Sequence, residues 1–131
     1  MDCIFCSIAE KKSPAFVLYE DENALAVLDI YPIKRGQTVV FPKVHSDSNF
    51  SHAPYTVIEN TLTTAHKTAA LLEKKLGYDR TFIVIQGLGV NHFHIKLYPK
   101  HADDHESLKI YLPESREKEA VLKELYTIIK G

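Results

Sequence analysis

The sequence predicts an α+β domain, and three observations carry the prediction. Three short runs near the N-terminus are rich in β-forming residues and separated by turn signals. Apolar residues between positions 58 and 76 recur at helical spacing. Polar and apolar residues alternate from Val90 to Tyr98, the period of a strand. Strands gathered in a run, with helices set apart, define the α+β class. At 131 residues the chain is long enough for one domain with one core, spanning 1–131.

The elements follow in order. Ala15 to Glu20 reads as a strand, Glu20 to Asn23 as a turn, and Ala24 to Ile30 as a second strand. Tyr31 to Gly36 forms a loop, and Gln37 to Pro42 a third strand rich in β-formers. Short turns between these runs favour antiparallel pairing. Ser46 to Tyr55 is polar and irregular. Ile58, Leu62, Ala65, Ala69, Leu72 and Leu76 then fall at steps of four and three, one face of a helix that Gly77 stops. Thr81 to Ile85 is a fourth strand, Gln86 to Gly89 a Gly-rich turn, and Val90 to Tyr98 a fifth strand. His101 to Glu106 is a charged loop, and Leu108 to Leu112 a short extra strand. Ser115 to Lys130 closes the chain as a helix whose buried stripe is Val121, Leu122, Leu125, Ile128 and Ile129. No internal repeat, low-complexity tract or linker interrupts this order.

Bulk composition narrows the function. Hydrophobic residues make up 45% and charged residues 25%, ordinary for a soluble globular chain. A net charge of -1 gives no general attraction to nucleic acid or to an anionic membrane, so anion binding needs a local site. No apolar run approaches the roughly 20 residues that cross a bilayer. Met1-Asp2-Cys3 lacks the basic and apolar regions of a signal peptide, and the expected location is the cytoplasm. The two cysteines stand as Cys3-Ile4-Phe5-Cys6. In a reducing compartment a structural disulfide is disfavoured, and the spacing suits a metal, a redox pair or two free buried thiols. A thioredoxin-like motif requires a preceding strand, for which there is no room before Cys3.

The run Val90-Asn91-His92-Phe93-His94-Ile95-Lys96-Leu97 carries the most chemical information. Residues two apart on a strand share a face. His92, His94 and Lys96 therefore point one way, and Phe93, Ile95 and Leu97 the other. Two imidazoles and an ammonium in a row are costly to bury unless an anion or a metal meets them. A neutral imidazole attacks phosphorus well and also leaves well, provided its other nitrogen is held by an acceptor.

This run resembles the signature of the histidine-triad (HIT) superfamily of nucleotide hydrolases and transferases, His-x-His-x-His with apolar x, here with Lys96 in place of the third histidine. The resemblance spans about residues 2 to 100, leaving 101–131 as a C-terminal extension. It implies a five-stranded antiparallel sheet with one long helix, commonly paired into a homodimer with a continuous sheet. It implies that His94 attacks the α-phosphate of a nucleotide and that a backbone carbonyl orients it. Lys96 then neutralises a phosphate oxygen as a flexible point charge, or merely solvates the strand. An ammonium is a poor proton donor near neutrality, so phosphate binding is expected to survive better than leaving-group protonation.

The segment Ile85-Gln86-Gly87-Leu88-Gly89-Val90 is several residues shorter than in many HIT proteins. Gln86 falls where the family has an asparagine, and Gly87 and Gly89 let backbone N–H groups approach a phosphate. Pro42-Lys43-Val44-His45 is similar to the family's Pro-Lys-x-His. In the zinc-bearing branch this implies a structural zinc site of Cys3, Cys6, His45 and His92, closed to substrate by its four protein ligands. Val27-Leu28-Asp29-Ile30-Tyr31-Pro32 is similar to the family's Leu-Asp-Ile-x-Pro. There Asp29 would accept two ribose hydroxyls, with Phe5, Ile8, Val27 and Ile30 around the base; locally, Asp29 also suits a strand end before Pro32. His52, His66, His101 and His105 match nothing in the family pattern and read as surface residues. The resemblance implies a hydrolase or transferase acting at the α-phosphate of dinucleoside polyphosphates or nucleoside phosphoramidates. The rival is a non-catalytic nucleotide-binding module, favoured by the lost third histidine and the short loop.

Overall fold

A computed structural model describes residues 2–103 and 115–131. The elements are α1 (Ile4–Ala9), β1 (Val17–Glu20), β2 (Ala24–Leu28), β3 (Thr38–Pro42), α2 (Tyr55–Leu76), β4 (Arg80–Val84), β5 (Ile95–Lys100) and α3 (Glu119–Lys130). The strands form one antiparallel sheet in the order β1-β2-β3-β5-β4. The chain enters β5 only after α2 and β4, so the last strand slots between β3 and β4.

Both faces of the sheet are covered. Ala26, Leu28, Val40, Ile95 and Leu97 pack with Ile58, Ala65 and Leu72 of α2 and with Leu122, Leu125 and Ile129 of α3. The residues between them, Leu25, Val27, Val39 and Phe41, point the other way and pack with Phe5 and Ile8 of α1. This explains why β2 and β3 are buried along their whole length. Phe41 and Phe93 are fully buried. Burying an aromatic ring of this kind contributes about 2–3 kcal/mol relative to leaving it in water.

Several boundaries differ from the sequence reading. The predicted strand 90–98 begins only at Ile95. Before it, the N–H of Phe93 donates to the Ser46 carbonyl at 3.0 Å, and that of His92 to Val90 at 2.9 Å. Those residues are bound to a loop and a turn instead of the sheet ladder. The alternation of faces still holds, since Phe93 joins Ile95 and Leu97 in the α2-side core. The strand 24–30 ends at Leu28, and α2 starts three residues ahead of Ile58, at Tyr55 after Pro54. The last helix begins at Glu119. The strand placed at Leu108 to Leu112, and His105, lie outside the described residues.

The buried face of α2 is also rotated. Thr61, Thr64 and Thr68 are buried, whereas Leu62 is 39% exposed. Each threonine hydroxyl donates within the fold: Thr61 to the Val57 carbonyl, Thr68 to the Thr64 carbonyl, and Thr64 to the Asp21 carboxylate at 2.5 Å. A hydroxyl with a partner is cheap to bury. The C-terminal segment shares the main core, and it also reaches the loop after β2. There the Glu117 N–H donates to the Ile30 carbonyl at 2.8 Å, and Arg35 lies 3.5 Å from Glu124. No helix among the described residues is long and apolar enough to cross a membrane.

Candidate active site and metal centre

The six-residue helix α1 was not expected, because so short a segment cannot hold a helix alone. Cys3 caps it: its Sγ accepts from the Cys6 N–H at 3.4 Å. The helix presents both thiols to one side and Phe5 and Ile8 to the sheet, where Phe5 stacks on Phe41 with ring centroids 4.4 Å apart.

Cys3, Cys6, His45 and His92 converge, their ligand atoms all within 4.8 Å of one another. His92 Nδ1 lies 3.3 Å from Cys3 Sγ, 3.5 Å from Cys6 Sγ and 3.3 Å from His45 Nδ1. Cys6 Sγ lies 3.4 Å from His45 Nδ1. Tetrahedral zinc, with bonds of about 2.0–2.3 Å, places its donors roughly 3.3–3.8 Å apart. Four of the six donor pairs fall at that spacing, and two thiols with two imidazoles are a donor set that zinc takes. His92 is also prepared as a ligand, since its Nε2 lies 2.7 Å from the Pro42 carbonyl. A carbonyl only accepts, so the proton sits on Nε2 and Nδ1 offers its lone pair to the cluster. Burial, opposed by the Pro42 carbonyl, holds the His92 imidazole below its ordinary range. Burial and the adjacent Cys3 push the Cys6 thiol up, and a bound cation reverses such a shift outright.

His94 is buried two residues on, 3% exposed. Its Nδ1 lies 2.7 Å from the His92 carbonyl. By the same reasoning Nδ1 carries the proton, and Nε2 of the neutral ring keeps a lone pair. Burial lowers the His94 pKa, with Lys96 acting the same way; the carbonyl of His92, the charge of Asp29 and the backbone of Leu88 oppose it. The ring edge packs against Phe5, centroids 5.3 Å apart.

A mostly apolar cavity of about 410 Å³ opens beside His94. Phe5, Ile8, Val27, Asp29, Ile30, Gly89 and Lys96 all line it. Ile4, Tyr31, Val39, Leu88 and Val90 complete much of the wall and were not foreseen. Gln86 and Gly87 are not among the lining residues, and Gln86 is exposed. Gly87 instead packs on Ser48, whose hydroxyl donates to its carbonyl at 2.9 Å. Gly87 has φ +76°, and a Cβ there would lie 2.7 Å from the Ser48 carbonyl oxygen. Nothing in the local sequence marks Ser48, since its partner lies 39 residues away.

Asp29 is 9% exposed and sits where the loop after β2 begins. One carboxylate oxygen accepts from the Tyr31 N–H at 2.9 Å and the other from the Gln37 side-chain amide at 2.6 Å. Tyr98 faces the same charge, and burial together with Asp29 pushes its phenol up to about 12. His52, His66 and His101 are exposed, as expected of surface residues.

Residues 10–103 match the HIT domain family, and the chain belongs to it. The matched span begins after Cys3 and Cys6 and ends before α3. An uncharacterised HIT-like protein of Methanocaldococcus jannaschii is 39% identical over 128 residues, covering 94% of this chain and 98% of its own. A solved structure of a hypothetical histidine triad nucleotide-binding protein of Sulfolobus tokodaii superposes with a TM-score of 0.79 at 25% identity, over 98% of this chain and 89% of its own. A Zn-bound histidine triad family protein of Mycobacterium smegmatis superposes with a TM-score of 0.76 at 28% identity, over 98% and 94%.

Proposed function

We propose that this protein cleaves nucleotidyl substrates at the α-phosphorus through a covalent intermediate on His94, as a hydrolase or a nucleotidyltransferase. The observation that carries the reading is the 2.7 Å bond from His94 Nδ1 to the His92 carbonyl, which keeps the lone pair on Nε2 of a ring lining the cavity. In the first step Nε2 donates its lone pair to the α-phosphorus. The bond to the leaving group breaks, and that group departs with its electron pair. In the second step water, or another acceptor, attacks the same phosphorus and loses a proton. The phosphorus–nitrogen bond breaks, its electrons return to Nε2, and a nucleoside monophosphate or its transfer product is released. Lys96 binds the phosphate charge, and N–H groups near Gly89 supply further donors. The apolar wall of Phe5, Ile8, Val27 and Ile30 takes the base, and Asp29 takes the ribose. Dinucleoside polyphosphates and nucleoside phosphoramidates are the substrate classes that fit.

Zinc on Cys3, Cys6, His45 and His92 has a structural role in this reading, because four protein ligands leave no position for substrate. It ties α1, a wall of the cavity, to the run that carries His94. The protein acts as a cytoplasmic homodimer and binds neither nucleic acid nor membrane. Among the described residues β4 is an edge strand, and with Ile83 46% exposed it supports pairing of two sheets. Lys96 in the third signature position favours a second reading, a nucleotide-binding module without turnover.

Mass spectrometry of quenched reactions, using adenosine phosphoramidate and a dinucleoside polyphosphate, separates the two. A mass increase of one nucleotidyl group on the peptide containing His94, with release of the monophosphate, is expected. Binding without adduct or product would leave the module.

A further inference from the structure

We infer that Gln37 is a positioning residue that turns Asp29 into a two-oxygen acceptor for a vicinal diol, and thereby makes the cavity select ribonucleotides over 2′-deoxyribonucleotides. The inference rests on the proposed nucleotide reading and adds a sugar-selecting device to it. Gln37 is 2% exposed, and both ends of its amide are engaged. Its Nε2 donates to Asp29 Oδ2 at 2.6 Å, while its Oε1 accepts from the Ile33 N–H at 2.9 Å. The backbones are joined as well, the Asp29 N–H donating to the Gln37 carbonyl at 3.0 Å. Gln37 therefore closes the base of the loop that carries Ile30 and Tyr31 into the cavity wall.

The acceptor count gives the reason. A carboxylate offers about four lone-pair positions, two on each oxygen. Tyr31 takes one on Oδ1 and Gln37 takes one on Oδ2. One position per oxygen remains, which matches two adjacent hydroxyls of a ribose. A 2′-deoxyribose fills only one of them. The terminal torsion of an aspartate is soft. Held from both sides, it loses that freedom on folding and not on binding, which favours the ligand. The donor is also neutral. A lysine or arginine in its place would pair with Asp29 as an ion and compete with the sugar, whereas an amide leaves the full charge for charge-assisted bonds to the hydroxyls.

The test is calorimetric titration of the full chain with adenosine and guanosine monophosphates and their 2′-deoxy counterparts. The native protein is expected to favour the ribose member of at least one pair by about tenfold or more, the worth of a hydrogen bond to a charged group. Gln37→Met keeps the length of the side chain but removes the donor to Asp29. Its ribose-to-deoxyribose ratio should collapse to within about threefold of unity, as should that of Asp29→Asn. Should Gln37→Met fail to fold, Gln37→Leu carries the same expectation. A native ratio that survives in the Gln37 variant while Asp29→Asn abolishes it would overturn the role of Gln37. Equal loss of affinity for both sugars would also overturn it, since Gln37 would then serve only the fold. If the native protein binds no nucleotide at all, the proposed function itself fails, a result distinct from either.

Discussion

His92 and His94 are joined by a single hydrogen bond in which the Nδ1–H of His94 donates to the backbone carbonyl of His92 at 2.7 Å. The ring of His92 meanwhile turns its own Nδ1 toward Cys3, Cys6 and His45. One residue thus faces the candidate metal site with its side chain and fixes the proposed nucleophile with its main chain. A disturbance at the cluster reaches His94 through two covalent residues, with no need for a long path.

Replacing His94 by alanine should cut turnover by about a thousandfold or more, in the range seen when a nucleophile is removed. Nucleotide affinity should change little, because the proposed base and ribose contacts lie elsewhere in the cavity. Steady-state kinetics beside calorimetry would check this, and retention of most of the rate would remove His94 from its role.

Freshly purified protein should contain about one equivalent of zinc, measured by elemental analysis with no metal added. Stripping it with a chelator should lower the melting temperature. A ligand present at 100 to 1,000 times its dissociation constant stabilises the native state by about 3–4 kcal/mol. Cys6→Ser should reproduce the loss. Because α1 carries both Cys6 and the Phe5 wall, nucleotide affinity should fall with the metal.

Lys96→His would place a group that titrates near neutrality on the face shared with His94. It should raise kcat/KM for poor leaving groups such as amines and alkoxides more than for phosphates. Lys96→Met should weaken binding and make it less sensitive to salt, since a charge contact is lost. A leaving-group series would read both effects. Equal losses for every leaving group in both variants would mean that Lys96 is more than a phosphate clamp.

Gly87→Ala and Gly77→Ala form a matched pair. Both glycines have positive φ, +76° and +73°, so both variants carry about 1–2 kcal/mol of left-handed strain. Gly77 has nothing within 4 Å of the new Cβ, whereas Gly87 has the Ser48 carbonyl oxygen at 2.7 Å. Gly87→Ala should therefore lower the melting temperature further, and it alone should reduce kcat, because Leu88 and Gly89 of the same loop wall the cavity.

Tyr98 provides a pH test. Its folded pKa, raised by burial and Asp29 to about 12, exceeds the ordinary value of 10.0. The folded state thus holds this proton more tightly than the unfolded one. The stability it contributes is complete below pH 10 and is lost as pH rises toward 12. Alkaline titration of phenolate absorbance should show one late component that Tyr98→Phe deletes, and the variant's stability should fall less steeply above pH 10.

The alternation from His92 to Leu97 was legible because a period of two needs no knowledge of partners. Where the sheet ladder begins was not, since the Phe93 N–H bonds to Ser46, a residue far away in sequence. The helix α1 was hidden by its length, being stabilised by Phe5 on Phe41 and not by local propensity. Thr61, Thr64 and Thr68 escaped a hydrophobic pattern because their hydroxyls find partners only once the helix and the turn at Asp21 are in place. The residues around His94 were readable as a motif. Gln37 was not, because its meaning depends on Asp29 lying within hydrogen-bonding reach across a loop.

The bond from the Glu117 N–H to the Ile30 carbonyl ties part of the cavity wall to a segment outside the matched family span. In the proposed mechanism the signature run must satisfy the demands of catalysis, which constrains substitutions there. The segment leading into α3 carries no such burden. Changes near Glu117 can tilt Ile30 and Tyr31 while leaving His94, Lys96 and the candidate metal ligands as they are. If the proposed function holds, base preference thereby becomes separable from chemistry: selection, or a designer varying this segment alone, can retune the pocket without rebuilding the groups around His94.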